Sequence, residues 1–336
     1  MTNLLYQNIQ EHIARAGHIL LLTDERIDGD TMGSTMGLYH VLKDLTPHTP
    51  PLAGGKRRVE VFSPKPLPEM FKFIPGVEVI RRDAEVFLQD SIDLVIISDC
   101  SDGEYIKNFL PTMPHKVPLI VFDHHASNPL YGTINLVEPT AASTADVVWR
   151  FIKAAGYQVS REAAQCFLTG VYTDTDVFTT ANTTIAALEA SAELVKLGAD
   201  PKTIVRCHMM NRSVNALRLW GLVFGRLFYD PEFDAIATAI TRKDLEAFGA
   251  TDDDLKSISN FLNEMLEEKH EVVLVYYEKE DGSVKGSLRS RSRDVAKIAE
   301  EKYGGGGHKL AAGFKIPNAH LVEQPDRWVV EKNPVV

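Results

Sequence analysis

The sequence predicts an α/β fold: a larger N-terminal domain with a parallel sheet flanked by helices, a helical connector, and a smaller C-terminal α/β domain. Three observations predict it. The short apolar runs HILLL (18–22), VEVFS (59–63), DLVIISD (93–99) and PLIVFDHH (118–125) read as strands buried on both faces, the habit of parallel sheets. Helical spacing of apolar residues precedes and follows those runs. A second, separate mixture of strand and helix patterns begins near residue 229.

Taken in order, residues 4 to 16 place Leu5, Ile9 and Ile13 on one helical face, and Gly17 stops that helix before HILLL. After Asp30 the period becomes helical again at Met36, Leu38, Val41 and Leu42, so the polar segment 23–32 joins a strand to a helix. Such loops, at the C-terminal ends of strands, are where open α/β sheets bind ligands. Helices are expected at 144–155, 161–173 and 184–197, the last closed by Gly198. Residues 200–228 lack strong breakers and read as a long helix, giving domains of 1–190 and 229–336 around a connector at 191–228. In the second domain DAIATAI is a strand, and a helix from Thr251 turns Leu255, Ile258, Phe261, Leu262 and Met265 inward. Strand EVVLVYYE, a turn at Asp281-Gly282, strand VKGSLRS, a helix from about Ser292 and a glycine run at 304–307 complete it.

Composition narrows the function. With 336 residues, 44% hydrophobic and 24% charged, the chain can bury one or two ordinary cores, so disorder is not its theme. Its 46 acidic and 36 basic side chains leave a net charge of -10, unlike a protein that coats long nucleic acid. The three cysteines (Cys100, Cys166, Cys207) form no C-x-x-C pair, which argues against a disulfide framework or a thiolate zinc site and for a reducing, cytoplasmic setting. No apolar run approaches the roughly 18 residues of a membrane span, so a soluble, untargeted protein is expected.

Two sets of residues carry chemistry. Asp24, Asp28 and Asp30, then Asp99, then Asp123, His124 and His125, then Asp174 fall in four segments that point to one sheet edge. Singly, Asp28-Gly29-Asp30 is a turn, Asp99 a helix cap and His124 a buried histidine. Together, crowded carboxylates repel unless divalent cations neutralise them, and oxygen with imidazole suits Mn²⁺ or similar metals. Two metals at one site would activate water for phosphoryl transfer. The second set is Ser287, Arg289, Ser290 and Arg291, followed by Gly304 to Gly307 and His308. Glycines admit an anion to backbone N–H groups, arginine grips phosphate, and residues 284–315 carry eight Lys or Arg against three acids.

The motifs IDGDTMGS, ISDC, FDHH, YTDT and GGGGHKLAAGF, in this order, resemble the signature of the DHH phosphoesterases that carry a DHH-associated C-terminal domain, over roughly residues 15–315. GGGGH separates the chain from the family II inorganic pyrophosphatases, whose second domain differs. Length and layout are most similar to members that degrade short oligoribonucleotides and dephosphorylate pAp. The resemblance implies an active site in the cleft between the domains and two Mn²⁺ ions, with Mg²⁺ or Co²⁺ as alternatives. It implies that Asp28 and Asp99 bind one ion, and Asp30, Asp99, His124 and Asp174 the other, Asp99 bridging. Asp123 and His125 become catalytic helpers, His125 positioning phosphate or protonating the leaving oxygen. Ser287, Arg289, Gly306, Gly307 and His308 would hold the substrate, a short single-stranded RNA or nucleotide. Family members often dimerise, which leaves a homodimer open.

One departure from the family pattern matters: where the first motif opens with His, this chain has Asp24. Asp24 can still ligate Mn²⁺ through oxygen, with altered affinity. The expected activity is therefore hydrolysis of short oligoribonucleotides to mononucleotides and of pAp to AMP. The alternatives are a cyclic dinucleotide or pApA phosphodiesterase, and a catalytically impaired nucleotide-binding homologue.

Overall fold

The structure is a computed structural model that describes residues 2–45, 57–207, 213–250, 255, 258–267 and 269–334. It divides into two compact units, Met1–Asn211 and Arg212–Val336. Among the described residues no helix is long and apolar enough to cross a membrane.

In the first unit, helix α1 (Thr2–Arg15) leads into strand β1 (His18–Leu22) and helix α2 (Gly29–Leu42). Strands β2 (Arg58–Phe62), β3 (Ile80–Arg81) and β4 (Leu94–Ser98) follow, then the short helix α3 (Glu104–Lys107) and strands β5 (Leu119–Asp123) and β6 (Ile134–Val137). Helices α4 (Thr144–Ala154), α5 (Arg161–Asp174), α6 (Ile185–Lys196) and α7 (Pro201–Val205) close the unit. The strands form one sheet in the order β3-β2-β1-β4-β5-β6, every pair parallel. β1, β4 and β5 are buried at every position, as their continuous apolar runs require. The two-residue β3 and the half-exposed β6 escape the sequence pattern because they lie at the sheet edges, where no long apolar run is needed. Strand order reverses between β1 and β4, and in open α/β sheets ligands bind outside the strand ends at that point.

α2 is buried almost all round, so it reads as core rather than amphipathic surface. It packs closely on α5 because glycines meet there. A Cβ on Gly33 would lie 2.5 Å from the Gly170 nitrogen, and one on Gly37 2.2 Å from the Phe167 ring. Side-chain caps start the surrounding helices: Ser143 accepts from the Asp146 N–H, Ser160 from Ala163 and Thr184 from Ala187.

The stretch expected as one long connecting helix is divided. Asp200 caps α7 with Pro201 in its first turn, and a new helix, α8 (Val214–Gly225), starts after Ser213, whose hydroxyl accepts from the Ala216 N–H. A serine cap is a helix start that a search for glycine and proline breakers overlooks.

The second unit continues with β7 (Phe228–Asp230), β8 (Ala235–Ile240), α9 (Arg242–Phe248), α10 (Ile258–Met265), β9 (Val272–Glu278), β10 (Val284–Ser290) and α11 (Val295–Tyr303). Then come β11 (Gly306–His308), β12 (Ala311–Ile316), β13 (Ala319–Glu323) and β14 (Trp328–Lys332). Its main sheet runs β11-β12-β10-β9-β8-β7, with only β8 and β9 parallel, and β13 pairs with β14 apart from it. Of the helix expected from Thr251, residues Ile258–Met265 are helical as α10, with Ile258 and Leu262 buried but Phe261 and Met265 exposed rather than inward, and 251–254 and 256–257 lie outside the described residues. The glycine run is not simply a loop: Gly306 and Gly307 pair with Gly313 and Ala312 as strand β11.

Candidate active site

Asp24, Asp28 and Asp30 follow β1, Asp99 follows β4, and Asp123 ends β5 ahead of His124 and His125. Asp174 arrives differently, as the last residue of helix α5. Ligand-bearing atoms meet in two groups, Asp99 with His124 and His125, and Asp30 with His124 and Asp174, each within 4.8 Å. His124 belongs to both. Its Nε2 lies 3.5 Å from Asp174 Oδ2 and 4.0 Å from Asp99 Oδ1.

Asp30 is 1% exposed, and its carboxylate accepts two backbone hydrogen bonds: Thr144 donates to Oδ2 at 2.6 Å and Ala145 to Oδ1 at 2.9 Å. Burial, then the charges of Asp99, Asp174 and Asp28, push its pKa well above the ordinary range. Asp99 adopts a left-handed backbone, φ 60°, uncommon for any residue but glycine. Thr31 Oγ1 donates to its Oδ2 at 2.6 Å and Thr144 Oγ1 to its Oδ1 at 3.0 Å. Burial and the Asp28 charge raise Asp99 and Asp174 as well.

This donor set fits a divalent cation. His124 Nδ1 faces the Ala141 carbonyl at 3.4 Å, an atom that only accepts, so the ring proton belongs on Nδ1 and Nε2, the nitrogen that would ligate a metal, points toward two carboxylates. Lone pair and anions face each other unfavourably until a cation joins them, and carboxylate with imidazole is the ligand mixture of Mn²⁺ and similar ions.

Asp123 has another task. It is wholly buried and accepts from the His125 ring Nδ1 at 2.7 Å, the His124 and His125 N–H groups, and Asn128 Nδ2 at 2.6 Å. Burial alone would raise its pKa, but these hydrogen bonds outweigh that and lower it. The Asp123 hydrogen bond in turn pushes His125 up to about 9, so the ring is cationic at neutral pH.

Two expected ligands stand outside both groups. Asp28 is exposed and caps α2, accepting from the Asp30 and Thr31 N–H groups, although its charge still acts on Asp30, Asp99 and Asp174. Asp24 is 5% exposed and bound within its own loop. The Glu25 N–H takes one oxygen at 2.6 Å, and Arg26 takes the other through Nε and Nη2, both at 3.2 Å.

Several contributors escape the motif reading. Asn182 Nδ2 donates to the Asp174 carbonyl at 3.2 Å and to the Ala142 carbonyl at 2.9 Å, and Thr31, Thr144 and Asn128 hold carboxylates. These neutral side chains give no charge signal. Gly170 did leave one, as a glycine inside an apolar helix.

In the second unit, Arg289 Nε donates to Asn260 Oδ1 at 2.6 Å and Nη1 approaches Ser287 Oγ at 3.4 Å. Burial lowers the Arg289 pKa, and among the described residues no carboxylate pairs with it. Ser287 and Gly306 both oppose Gly313 on β12, so the three cross adjacent strands in a row. The Gly306 Cα is open, whereas a Cβ on Gly307 (φ 146°) would lie 2.5 Å from the Ala311 carbonyl. The His308 side chain lies outside the described residues. The basic excess of 284–315 is partly spent locally, since Arg293, Lys297, Lys302 and Lys315 pair with Asp234, Glu301, Glu232 and Asp281.

Comparison with known proteins agrees with this layout. The model described as DHH family, N-terminal domain, matches residues 18–171, and the DHHA1 domain model matches 236–327. A protein of Thermus thermophilus named bifunctional oligoribonuclease and PAP phosphatase NrnA is 30% identical over 93% of this chain and 88% of its own. A Bacillus subtilis protein of the same name is 26% identical over 89% of each. The crystal structure of an exopolyphosphatase-related protein from Bacteroides fragilis superposes with a TM-score of 0.81 at 24% identity, over 93% of this chain and 91% of that one, a likeness of fold.

Proposed function

The chain belongs to the DHH family and is a phosphoesterase, and we propose that it hydrolyses short oligoribonucleotides to mononucleotides and pAp to AMP, with two Mn²⁺ ions, in the cytoplasm. The observation that carries this reading is the pair of carboxylate and imidazole groups sharing His124 at the switch point of the sheet. The names of the relatives supply the substrate class.

In this reading Asp30, Asp99, His124 and Asp174 hold the ions, with Asp28 at the margin. When bound, divalent cations supply Lewis acidity, which activates water near neutral pH and offsets charge on the phosphoryl oxygens. Asp123 keeps His125 charged and fixes its ring through Nδ1, leaving the Nε2 proton for the leaving oxygen as the P–O bond breaks and water's oxygen bonds to phosphorus. Arg289, Ser287 and the Gly306 and Gly307 backbone, with His308, hold substrate phosphate and the terminal nucleotide.

The test is a metal-dependent panel: purified protein with Mn²⁺, Mg²⁺ or Co²⁺ against a diribonucleotide, pAp, pGpG and cyclic di-AMP. Cleavage of the dinucleotide and pAp with Mn²⁺ is expected. Turnover of cyclic di-AMP alone would move the assignment to cyclic dinucleotides, and no turnover of any substrate would overturn it.

A further inference from the structure

We propose that Thr144 is a positioning residue that sets the carboxylates of Asp30 and Asp99 relative to each other, so that both can serve one cation cluster. The inference rests on the reading of those two aspartates as ligands. They come from unconnected places, Asp30 from the first turn of α2 and Asp99 from the residue after β4. Thr144 joins them. Its N–H lies 2.6 Å from Asp30 Oδ2 and its hydroxyl donates to Asp99 Oδ1 at 3.0 Å. Among the described residues it alone bonds both carboxylates.

The surroundings hold Thr144 in place. Ser143, in extended backbone (φ -162°), caps α4 by accepting from the Asp146 N–H, which fixes where the helix begins and aims its first N–H groups at Asp30. Thr144 is fully buried, so its hydroxyl has no water to exchange with. Gly170 lets the turn come this close: a Cβ there would stand 2.4 Å from the Ala145 Cβ and 2.7 Å from Asp30 Oδ1.

The bonding also leaves the carboxylates usable. Asp30 accepts one hydrogen bond on each oxygen, and Asp99 one hydroxyl on each, from Thr31 and Thr144. Each carboxylate oxygen has two acceptor positions, so one per oxygen stays open to a cation while the other fixes the plane of the group. Groups that orient ligands in this way typically govern 10 to 100-fold in metal affinity or activity (order of magnitude).

Threonine and valine have nearly the same shape, so Thr144→Val removes the hydroxyl and keeps the backbone bond to Asp30. Thr144→Ser keeps the hydroxyl and removes a methyl group. Mn²⁺ binding to the full chain is followed through the electron paramagnetic resonance signal of the free ion, with steady-state turnover of pAp alongside. Thr144→Val is expected to weaken Mn²⁺ binding at least about tenfold and to lower kcat, while KM for pAp at saturating Mn²⁺ stays within about threefold. Thr144→Ser is expected to restore Mn²⁺ affinity to within about threefold of wild type.

Mn²⁺ binding by Thr144→Val as tight as wild type, or a Thr144→Ser variant as weak as Thr144→Val, overturns the proposal and leaves the function standing. A wild-type protein that binds no Mn²⁺ overturns the proposed function together with it. Metal-free circular dichroism of both variants confirms that the comparison is between folded proteins.

Discussion

Arg26 closes on Asp24, its Nε and Nη2 both 3.2 Å from Asp24 Oδ2, while the Glu25 N–H holds the other oxygen. The Asp24 carboxylate is thus engaged by its own loop and stands outside both ligand groups. Asp24→His exchanges a paired carboxylate for an imidazole donor and releases Arg26. Mn²⁺ affinity and turnover should both rise, turnover by more than about tenfold if the present residue impairs the site. Unchanged affinity and turnover would show that the Asp24 position does not limit the enzyme.

Asp99 is the carboxylate that both sides of the cluster approach, with His125 Nδ1 at 3.7 Å and His124 Nε2 at 4.0 Å from the same oxygen. Asp99→Ala should take turnover below detection, because it removes the ligand proposed to be shared. The variant is compared with wild type in the pAp assay, with circular dichroism as the control for folding. Near-normal activity would remove Asp99 from its bridging role.

Stability of the metal-free protein should carry the mark of the crowded carboxylates. Burial and the Asp28 charge raise the pKa values of Asp99 and Asp174 to about 7 from an unfolded value near 3.9. A raised folded pKa means stability that is complete below the unfolded value and lost as pH rises through the folded one. The metal-free Tm should therefore increase as pH is lowered from about 7.5 to about 5, and Mn²⁺ should raise it most at the alkaline end. Asp174→Asn should flatten the dependence. A metal-free Tm that falls over this interval would contradict the raised values.

Much of this site was legible in the sequence because charged residues at strand ends are conspicuous. The apolar runs before Asp99 and Asp123 located β4 and β5 nearly to the residue, and His124 and Asp174 meet as their pattern implied. What could not be read was partnership. Asp24 looked like a ligand because no spacing rule reveals that Arg26, two residues on, turns back to it. Asp28 served the bland reading, a helix start, while lending its charge to the cluster. Thr31 and Thr144 carry no charge and sit in segments read only as helix, so nothing local advertises that they bind Asp99.

Arg289 offers a prediction separable from the metal cluster. It has no carboxylate partner among the described residues, and it is half-buried beside Ser287 and Asn260 on the sheet of the second unit. If it grips substrate phosphate, Arg289→Ala should raise KM for pAp about tenfold or more and leave Mn²⁺ affinity unchanged. Asn260→Ala, which frees Nε, should have a smaller effect in the same direction. An unchanged KM in Arg289→Ala would take this residue out of the binding surface.

A steric prediction concerns Gly170, where α5 passes α2 and the first turn of α4. A methyl group there would meet the Ala145 Cβ at 2.4 Å and Asp30 Oδ1 at 2.7 Å, distances that no rotamer change relieves because one partner is itself a Cβ. Either α4 moves away, and its N–H groups leave Asp30, or α5 moves, and Asp174 leaves His124. Overpacking of this kind costs about 1–3 kcal/mol. Gly170→Ala should therefore lower the urea midpoint and, in the fraction still folded, weaken Mn²⁺ binding. A variant as stable and as tight for Mn²⁺ as wild type would show that the α2–α5 crossing does not hold the aspartates in register.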